Sequence, residues 1–185
     1  IAAVPMVDPT DESRTINTVH IYPKNRAAGK PVIEKDPPLL EDYNGNILTW
    51  TIRSEIPVNI KADIGNQKYV ITDTMAAGLT YAGNMKVYYQ SGGAGIGLNL
   101  CTEYSTTAVD GGTSFSITLE SDGFSILANA LAAGEIDQDD NGRYILYVMY
   151  DTVLNISQEE LEAGINPNNE VDLEFTNEDG TDYHD

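Results

Sequence analysis

The feature that most constrains the fold is a series of short β-prone runs, each ended within about ten residues by glycine, proline or asparagine. In Ile47–Ile56, apolar and polar residues alternate, which places Trp50 and Ile52 on the same side of a strand. Arg143–Asn155 is the most hydrophobic stretch, and we expect a central strand there. The chain is therefore predicted to consist mainly of strands.

Other runs of the same kind predict further strands at Thr18–Tyr22, Val32–Asp36, Lys68–Thr74, Leu79–Gln90, Ser114–Leu119 and Val171–Phe175. Two brief helices are predicted. Phe124–Ala133 has helical spacing and stops at Gly134, while Ser157–Ala163 begins with a capping box and stops before glycine. Seven or more short strands with two short helical insertions predict an all-β fold, an immunoglobulin-like β-sandwich.

Three segments are predicted to lie outside the strands. Residues 1–17 contain two prolines and many polar residues, and we interpret them as an extended linker. The glycine-rich segment Ser91–Gly97 is interpreted as a mobile loop, because it lacks the spacing of a dinucleotide-binding motif. The acidic segment Glu178–Asp185 is interpreted as a solvated linker toward a following domain.

Charge and composition exclude several classes of function. Ten basic residues against 29 acidic ones give a formal charge of −19, which disfavours binding to nucleic acid or to anionic membranes. A single cysteine excludes an intramolecular disulfide, and two histidines make a multi-histidine metal site or a histidine-based triad improbable. We therefore expect no cofactor and no metal.

Three motifs occur in a specific order. Tyr22-Pro23-Lys24-Asn25 comes first, and the second is Pro31–Asp36. The third is Tyr69–Met75, followed closely by Gly78-Leu79-Thr80-Tyr81. Together they resemble the major (backbone) pilins of Gram-positive bacteria, which sortases polymerise, and the resemblance extends from about Val4 to Asn177.

The resemblance implies a collagen-adhesin-like pilin domain and a structural role in an extracellular, cell-wall-anchored pilus. It divides the chain into a segment 1–29 with the pilin motif, an isopeptide-forming domain 30–177 and an acidic linker 178–185. The implied partners are identical pilin subunits, a class C type sortase and, in addition, minor pilins. Enzymatic turnover is not expected.

In this family, the lysine of the pilin motif attacks the acyl-enzyme that sortase forms with another subunit. The resemblance assigns that intersubunit linkage to Lys24. An exposed ammonium has a pKa of about 10.4, so the sortase has to activate it. The position of Lys24 between Pro23 and the small, flexible segment Asn25–Gly29 suits an accessible joint.

The resemblance also implies an autocatalytic isopeptide bond between a lysine on the first strand and an asparagine on the last, with an acidic residue as catalyst. Burial disfavours charge, so a buried lysine becomes a neutral nucleophile. A buried aspartic acid stays protonated for the same reason and polarises the amide. The chemistry requires all three groups on inward faces of a dry core.

Side-chain parity selects candidates for the three roles. Lys35 shares the face of Ile33 and is preferred to Lys30, which precedes Pro31. Asp73 shares the face of Tyr69 and Ile71, and Asn169 shares that of Val171, Leu173 and Phe175. We therefore predict a Lys35–Asn169 cross-link with Asp73 as catalyst. Asn168, Asn155 and Asn177 are the alternatives, in that order.

Two other functions stay open. Asp137-x-Asp139-x-Asn141-Gly142 matches the start of a calcium loop, although its twelfth position is Val148 and a hairpin turn is the preferred interpretation. An adhesin domain that binds a host glycan or matrix ligand, with a metal at Asp137–Asn141, is therefore the alternative function. A hydrolase with a carboxylate pair such as Glu159 and Asp151 lacks a supporting motif.

Overall fold

The computed structural model describes residues 6–8, 11–16, 31–36, 47–155 and 170–185. In chain order the strands are β1 (Met6–Asp8), β2 (Asp11–Ile16), β3 (Ile33–Asp36), β4 (Ile47–Glu55), β5 (Lys68–Thr74), β6 (Leu79–Tyr81), β7 (Lys86–Ser91), β8 (Ala94–Gly97), β9 (Tyr104–Thr106), β10 (Ser114–Leu119), β11 (Ile145–Leu154), β12 (Glu170–Thr176) and β13 (Asp182–His184). The helix α1 (Ser121–Ala133) follows β10.

The strands form two large antiparallel sheets and one small one. The first large sheet has the order β3-β4-β11-β7-β8, and β6 pairs with β11 beside this path. The second has the order β13-β12-β5-β10-β9. At one edge of the molecule, β3 of the first sheet lies against β12 of the second. The predicted all-β sandwich is confirmed.

Alternation along the strands produces the core between the two sheets. In β4 the side chains of Trp50, Ile52 and Ser54 are buried, while Thr51 and Arg53 on the other face are only partly so. This is the pattern of a strand with one face on the core. The core is polar at a few points, where its groups bond to one another, as in the 2.6 Å hydrogen bond from the Tyr69 hydroxyl to Ser54 Oγ.

The helix covers part of this core with one apolar stripe. Phe124, Leu127 and Ala130 are buried at helical spacing. The helix ends at Gly134, whose φ of 69° lies in the left-handed region that glycine adopts without strain. The predicted stop is confirmed. The second predicted helix, Ser157–Ala163, lies outside the described residues, and within the described part no helix has the length and apolar character needed to cross a bilayer.

The structure corrects the prediction of one strand at Leu79–Gln90. The segment is divided between β6 and β7, which pair with successive parts of β11. Between them Gly83 and Asn84 have φ values of 93° and 57°, which a continuous strand does not accommodate. Sequence patterning missed this break because β-prone residues lie on both sides of it.

The glycine-rich segment Ser91–Gly97 is not a loop. Gly92 and Gly93 have φ values of 59° and 78°, as a two-residue hairpin turn requires, and β8 then pairs with β7. The amides of both glycines donate to the Asp137 carboxylate, at 3.1 and 2.7 Å. The prediction failed because glycine has low strand propensity, which this tertiary pairing overrides.

Both segments interpreted as linkers contain strands. β1 and β2 form a separate two-stranded antiparallel sheet within residues 1–17. β13 lies within the acidic segment Glu178–Asp185 and pairs with β12. Its Tyr183 ring stacks on Phe175 with a centroid distance of 5.9 Å, so an apolar contact supports a strand that its charges disfavour.

Candidate functional site

A lysine and an aspartate meet in the core between the two sheets. Lys35 lies on β3 opposite Ile52 of β4, and its side chain is 5% exposed. Asp73 lies on the middle strand β5, and its side chain is 0% exposed. Lys35 Nζ donates directly to Asp73 Oδ2, so the contact joins one sheet to the other. Parity predicted both inward orientations, and the structure places both side chains accordingly.

Aromatic rings surround this pair on the side of the first sheet. Lys35 Nζ lies 4.8 Å from the ring centroid of Trp50 and 5.2 Å from that of Tyr150. The Tyr150 hydroxyl donates to Asp73 Oδ2 at 2.7 Å. Trp50 donates its indole N–H to Thr152 Oγ1 at 2.9 Å, which fixes its ring. The pair therefore lies in an apolar, water-poor environment.

The two oxygens of the Asp73 carboxyl differ in their hydrogen bonds. Oδ2 accepts hydrogen bonds from both Lys35 and Tyr150. Oδ1 is buried and has no hydrogen-bond partner among the described residues. A buried oxygen without a partner is unfavourable, so a further polar group beside Oδ1 would stabilise this arrangement.

Burial shifts the protonation of both partners toward their neutral forms. Desolvation lowers the pKa of Lys35 to about 8, against the opposing charge and hydrogen bond of Asp73. Desolvation likewise raises the pKa of Asp73, although Lys35 and Tyr150 both oppose the change. Burial thus favours a neutral amine and a protonated acid side by side. Such a pair can attack and polarise a carboxamide.

The last long strand passes directly beside Asp73. Val171 of β12 lies opposite Asp73 in the register of β5, on the flank away from Phe115 of β10. Val171 is partly buried and Leu173 and Phe175 are fully buried, so this face of β12 points inward as predicted. The predicted cross-link residue Asn169, the alternative Asn168 and the pilin-motif residue Lys24 lie outside the described residues.

The two remaining alternative asparagines lie elsewhere. Asn177 is six residues beyond Val171, about 20 Å along the strand, and its Oδ1 accepts from the Thr181 amide at 2.9 Å. Asn155 is five residues beyond Tyr150, about 16 Å along β11, and its Nδ2 donates to Thr80 Oγ1 at 2.9 Å. Both amides thus make local hydrogen bonds at strand ends.

A second charged cluster lies on the outer face of the first sheet. Arg143 donates to Glu34 Oε2 at 2.9 Å and to Asp139 Oδ2 at 2.8 Å. Asp139 Oδ1 accepts from the amides of Asn141 and Arg143, and the Gly142 amide donates to the Asp139 carbonyl. These bonds close a turn, which confirms the hairpin interpretation of this segment. In the described part of the chain, no group of three or more histidine, cysteine, aspartate or glutamate side chains is arranged to hold a metal ion.

The carboxylate pair considered for a hydrolase is only partly described. Asp151 accepts hydrogen bonds from Thr49 Oγ1 at 2.7 Å and from Asn84 Nδ2 at 2.5 Å. Its partner Glu159 lies outside the described residues. Asp151 thus has a structural role, in which it ties β11 to β4 and to the break between β6 and β7.

Sequence reasoning did not identify Trp50 and Tyr150 as part of this site. The signal was present, because Val148, Tyr150 and Thr152 alternate on the buried face of β11, and Tyr150 lies opposite Trp50. A tyrosine at a buried strand position needs a partner for its hydroxyl. Which partner it meets depends on how the two sheets pack together, which the alternation does not specify.

Comparisons with known proteins identify solved structures that resemble this fold. A scan against protein-family models and a search of curated proteins both find no match to the chain. The structure is similar to that of the fimbrial protein FimP from Actinomyces oris, with a TM-score of 0.53 and 22% identity over 93% of this chain and 36% of that one. The N-terminal domain of the Streptococcus gordonii adhesin Sgo0707 matches with a TM-score of 0.46 and 15% identity, over 86% of this chain and 32% of that one. The chain therefore shares the fold of this fimbrial protein. It spans about a third of the length of each of the two proteins.

Proposed function

We propose that this chain is part of a pilus shaft subunit whose sandwich forms an internal Lys35–Asn169 isopeptide bond, with Asp73 as the catalyst. The observation that carries the proposal is the buried contact between Lys35 and Asp73, in which burial moves both groups toward neutrality. The fold shared with a fimbrial protein supports the structural role. An extracellular location on a Gram-positive cell follows from the same proposal.

A purely structural ion pair is a weaker explanation of this contact. Removing two charges from water is unfavourable, and apolar residues of similar volume often stabilise a core equally well or better. A reaction explains the charges, because the product is a neutral amide. The unpartnered Asp73 Oδ1 also needs a polar group, which the carboxamide of an asparagine supplies.

The proposed reaction balances without a co-reactant. The Lys35 amine attacks Cγ of the Asn169 carboxamide, while the Asp73 acid donates its proton to the amide oxygen. The tetrahedral intermediate then releases Nδ2 as ammonia, which takes up one proton from Nζ through the Asp73 carboxyl. One C–N bond forms, one C–N bond breaks, and Asp73 ends in the acid form in which it began.

The register of β12 favours Asn169 among the asparagines. It lies two residues before Val171, the residue opposite Asp73, so the alternation of side chains predicts the same inward face for it. Asn168 has the opposite parity. Asn177 is about 20 Å from Val171 along the direction of β12, and Asn155 is about 16 Å from Tyr150 along β11. Asn169 is therefore the proposed acyl partner.

The bond would suit a shaft that transmits load. It joins β3 to the residue that precedes β12 in the chain and closes a loop of 134 positions. The chain-entropy model developed for disulfides assigns about 5 kcal/mol to such a closure. Unlike a disulfide, an amide is not reduced, so a chain with one cysteine gains a permanent link.

Intact mass spectrometry tests the cross-link. We expect the purified chain to be lighter than its calculated mass by one ammonia, and both Lys35→Ala and Asp73→Ala to restore the full mass. Lys68→Ala is the matched control, since Lys68 also pairs with a carboxylate, Glu174, at 2.6 Å but lies at the surface. A wild-type chain at its full calculated mass contradicts the proposal. Fragmentation of the joined peptides distinguishes Asn169 from Asn168.

Polymerisation through Lys24 is the second part of the proposal. We expect Lys24→Ala in the parent subunit to abolish the covalent ladders that a class C type sortase produces, because the attacking amine is lost. The mass deficit of the domain should be unchanged, since the two reactions use different lysines. Lys30→Ala is the neighbouring control. Ladders that persist in the Lys24 variant exclude this residue as the linkage site.

The alternative role as an adhesin domain stays a prediction. Its observable would be calcium-dependent binding of a glycan or matrix ligand, lost when the Asp137–Asn141 turn is altered. In the described structure the carboxylates of this turn already bond to Arg143, Asn141 and the glycines of the β7–β8 hairpin. The same mass measurement does not decide this question, because a cross-linked domain can also bind a ligand.

A further inference from the structure

We propose that Tyr150 is a positioning residue of the isopeptide site, which holds Asp73 Oδ2 so that the acid proton is carried by Oδ1, facing the carboxamide. This inference rests on the proposed function and adds a residue that acts through Asp73. The geometry that points to it is the unequal use of the two carboxyl oxygens, two donors on Oδ2 and none on Oδ1 among the described residues.

A carboxyl oxygen accepts hydrogen bonds through two lone pairs. Oδ2 has two lone pairs, and the donors Lys35 Nζ and Tyr150 O–H occupy both. A proton placed on Oδ2 would compete with these donors. The acid form of Asp73 therefore carries its proton on Oδ1, the oxygen that lacks a partner.

Packing fixes the tyrosine that imposes this choice. Tyr150 is fully buried, and its ring meets that of Phe115 edge to face at 4.9 Å and 80°. Phe115 is itself the cross-strand neighbour of Asp73 on β10. On another side, Tyr81 of β6 stacks on Tyr150 at 6.2 Å. The hydroxyl is thus held in place by both sheets and has little freedom to reorient.

In this arrangement, each oxygen of the Asp73 carboxyl has one role in proton transfer. During attack, Oδ1 delivers its proton to the amide oxygen, and Oδ2 accepts a proton from Lys35 Nζ. When the tetrahedral intermediate breaks down, the proton on Oδ2 passes to the departing nitrogen, which leaves as ammonia. Oδ1 then recovers its proton from the intermediate. Without the Tyr150 hydroxyl, both oxygens compete for the proton and the carboxyl can rotate.

The test has to follow the reaction from a chain that has not yet lost ammonia. The full 185-residue chain is therefore assembled by chemical ligation in denaturant and then diluted into folding buffers across a pH series. Loss of ammonia is followed by intact mass. Tyr150→Phe removes one hydroxyl and keeps the ring. Tyr69→Phe is the matched control, since it removes another buried hydroxyl on the face of β5 that carries Asp73, bonded instead to Ser54 at 2.6 Å.

We expect Tyr150→Phe to slow ammonia loss about tenfold, the effect of one buried hydrogen bond. The acid limb of its pH–rate profile should also move to higher pH. The Tyr150 hydrogen bond lowers the pKa of Asp73 against the larger effect of burial, so its loss raises that pKa and the pair releases its first proton later. The titratable groups facing Tyr150 in the described structure include Lys35 of β3, Asp73 of β5 and Tyr81 of β6.

A second substitution keeps the test decisive if the phenylalanine variant does not fold. 3-Fluorotyrosine at position 150 retains the shape and donates more strongly, so the acid limb should move to lower pH. Shifts in these opposite directions, with Tyr69→Phe unchanged, support the inference. Unchanged profiles in both folded Tyr150 variants overturn it, while a wild-type chain that never loses ammonia overturns the proposed function itself.

Discussion

Glu34 and Lys35 are neighbours on β3, yet they face opposite sides of the sheet and their ion pairs differ in kind. Glu34 is 40% exposed and accepts from Arg143 on the outer face. Lys35 is 5% exposed and donates to Asp73 within the core. Both are contacts between a cation and a carboxylate, so the comparison isolates the effect of the surroundings.

The two environments shift the pKa values of the paired groups in opposite directions. On the outer face, the hydrogen bond with Arg143 lowers the pKa of Glu34 and raises that of Arg143, so both partners become more firmly charged. In the core, burial lowers the pKa of Lys35 and raises that of Asp73. An ion pair whose carboxylate keeps its water, as Glu34 does, is a structural contact, whereas one in which both partners have lost their water is close to exchanging a proton and reacting.

The largest expected effect comes from removing Asn169, the proposed acyl partner of Lys35. Asn169→Ala should lower the free energy of unfolding by about 5 kcal/mol, because the unfolded chain is no longer constrained by a closed loop. Chemical denaturation measures this loss. Asn141→Ala, at the exposed outer turn, is the control and should change little. Equal stabilities of the wild type and Asn169→Ala would show that Asn169 forms no stabilising cross-link.

A smaller effect is expected on the pH dependence of stability. In the uncross-linked Asn169→Ala variant, Lys35 has a pKa of about 8 when folded and about 10.4 when unfolded. The unfolded state therefore binds more protons between these values, and the free energy of unfolding should rise by about 2 kcal/mol from pH 8 to pH 10. Denaturation curves at both pH values measure the rise. Adding Lys35→Met to this variant should remove it, and a rise of the same size without Lys35 would contradict the assignment.

The smallest effect is expected on the outer face. Glu34→Gln should lower the free energy of unfolding by less than about 1 kcal/mol, because Glu34 is 40% exposed and water and salt screen its charge, while Arg143 keeps its second carboxylate, Asp139. The loss should shrink at high ionic strength, and the ammonia deficit should remain. Thermal melts at two salt concentrations and one intact mass check both statements. A large, salt-independent loss would show that the outer cluster is as tightly coupled as the inner pair.

Strand parity predicted the inward faces of Lys35 and Asp73, because side chains alternate with a period of two whatever the tertiary context. It did not predict that Tyr150 would meet Asp73, since that contact crosses from one sheet to the other. Nor could it predict β8, whose glycines have little strand propensity. There a Tyr88 ring lies over the backbone of Gly95, where an added Cβ would be 3.2 Å from it, and the pairing with β7 determines the outcome.

The hairpin that ends in β8 has a consequence for solubility. Ala94–Gly97 carries no charged side chain, is exposed throughout, and pairs only with β7 among the described strands, so one row of its backbone groups faces outward. Such an edge is a template for pairing with another copy. A formal charge of −19 opposes that encounter at low ionic strength. Concentrated salt weakens the repulsion between copies, and aggregation of the isolated protein should then begin at the edge strand β8.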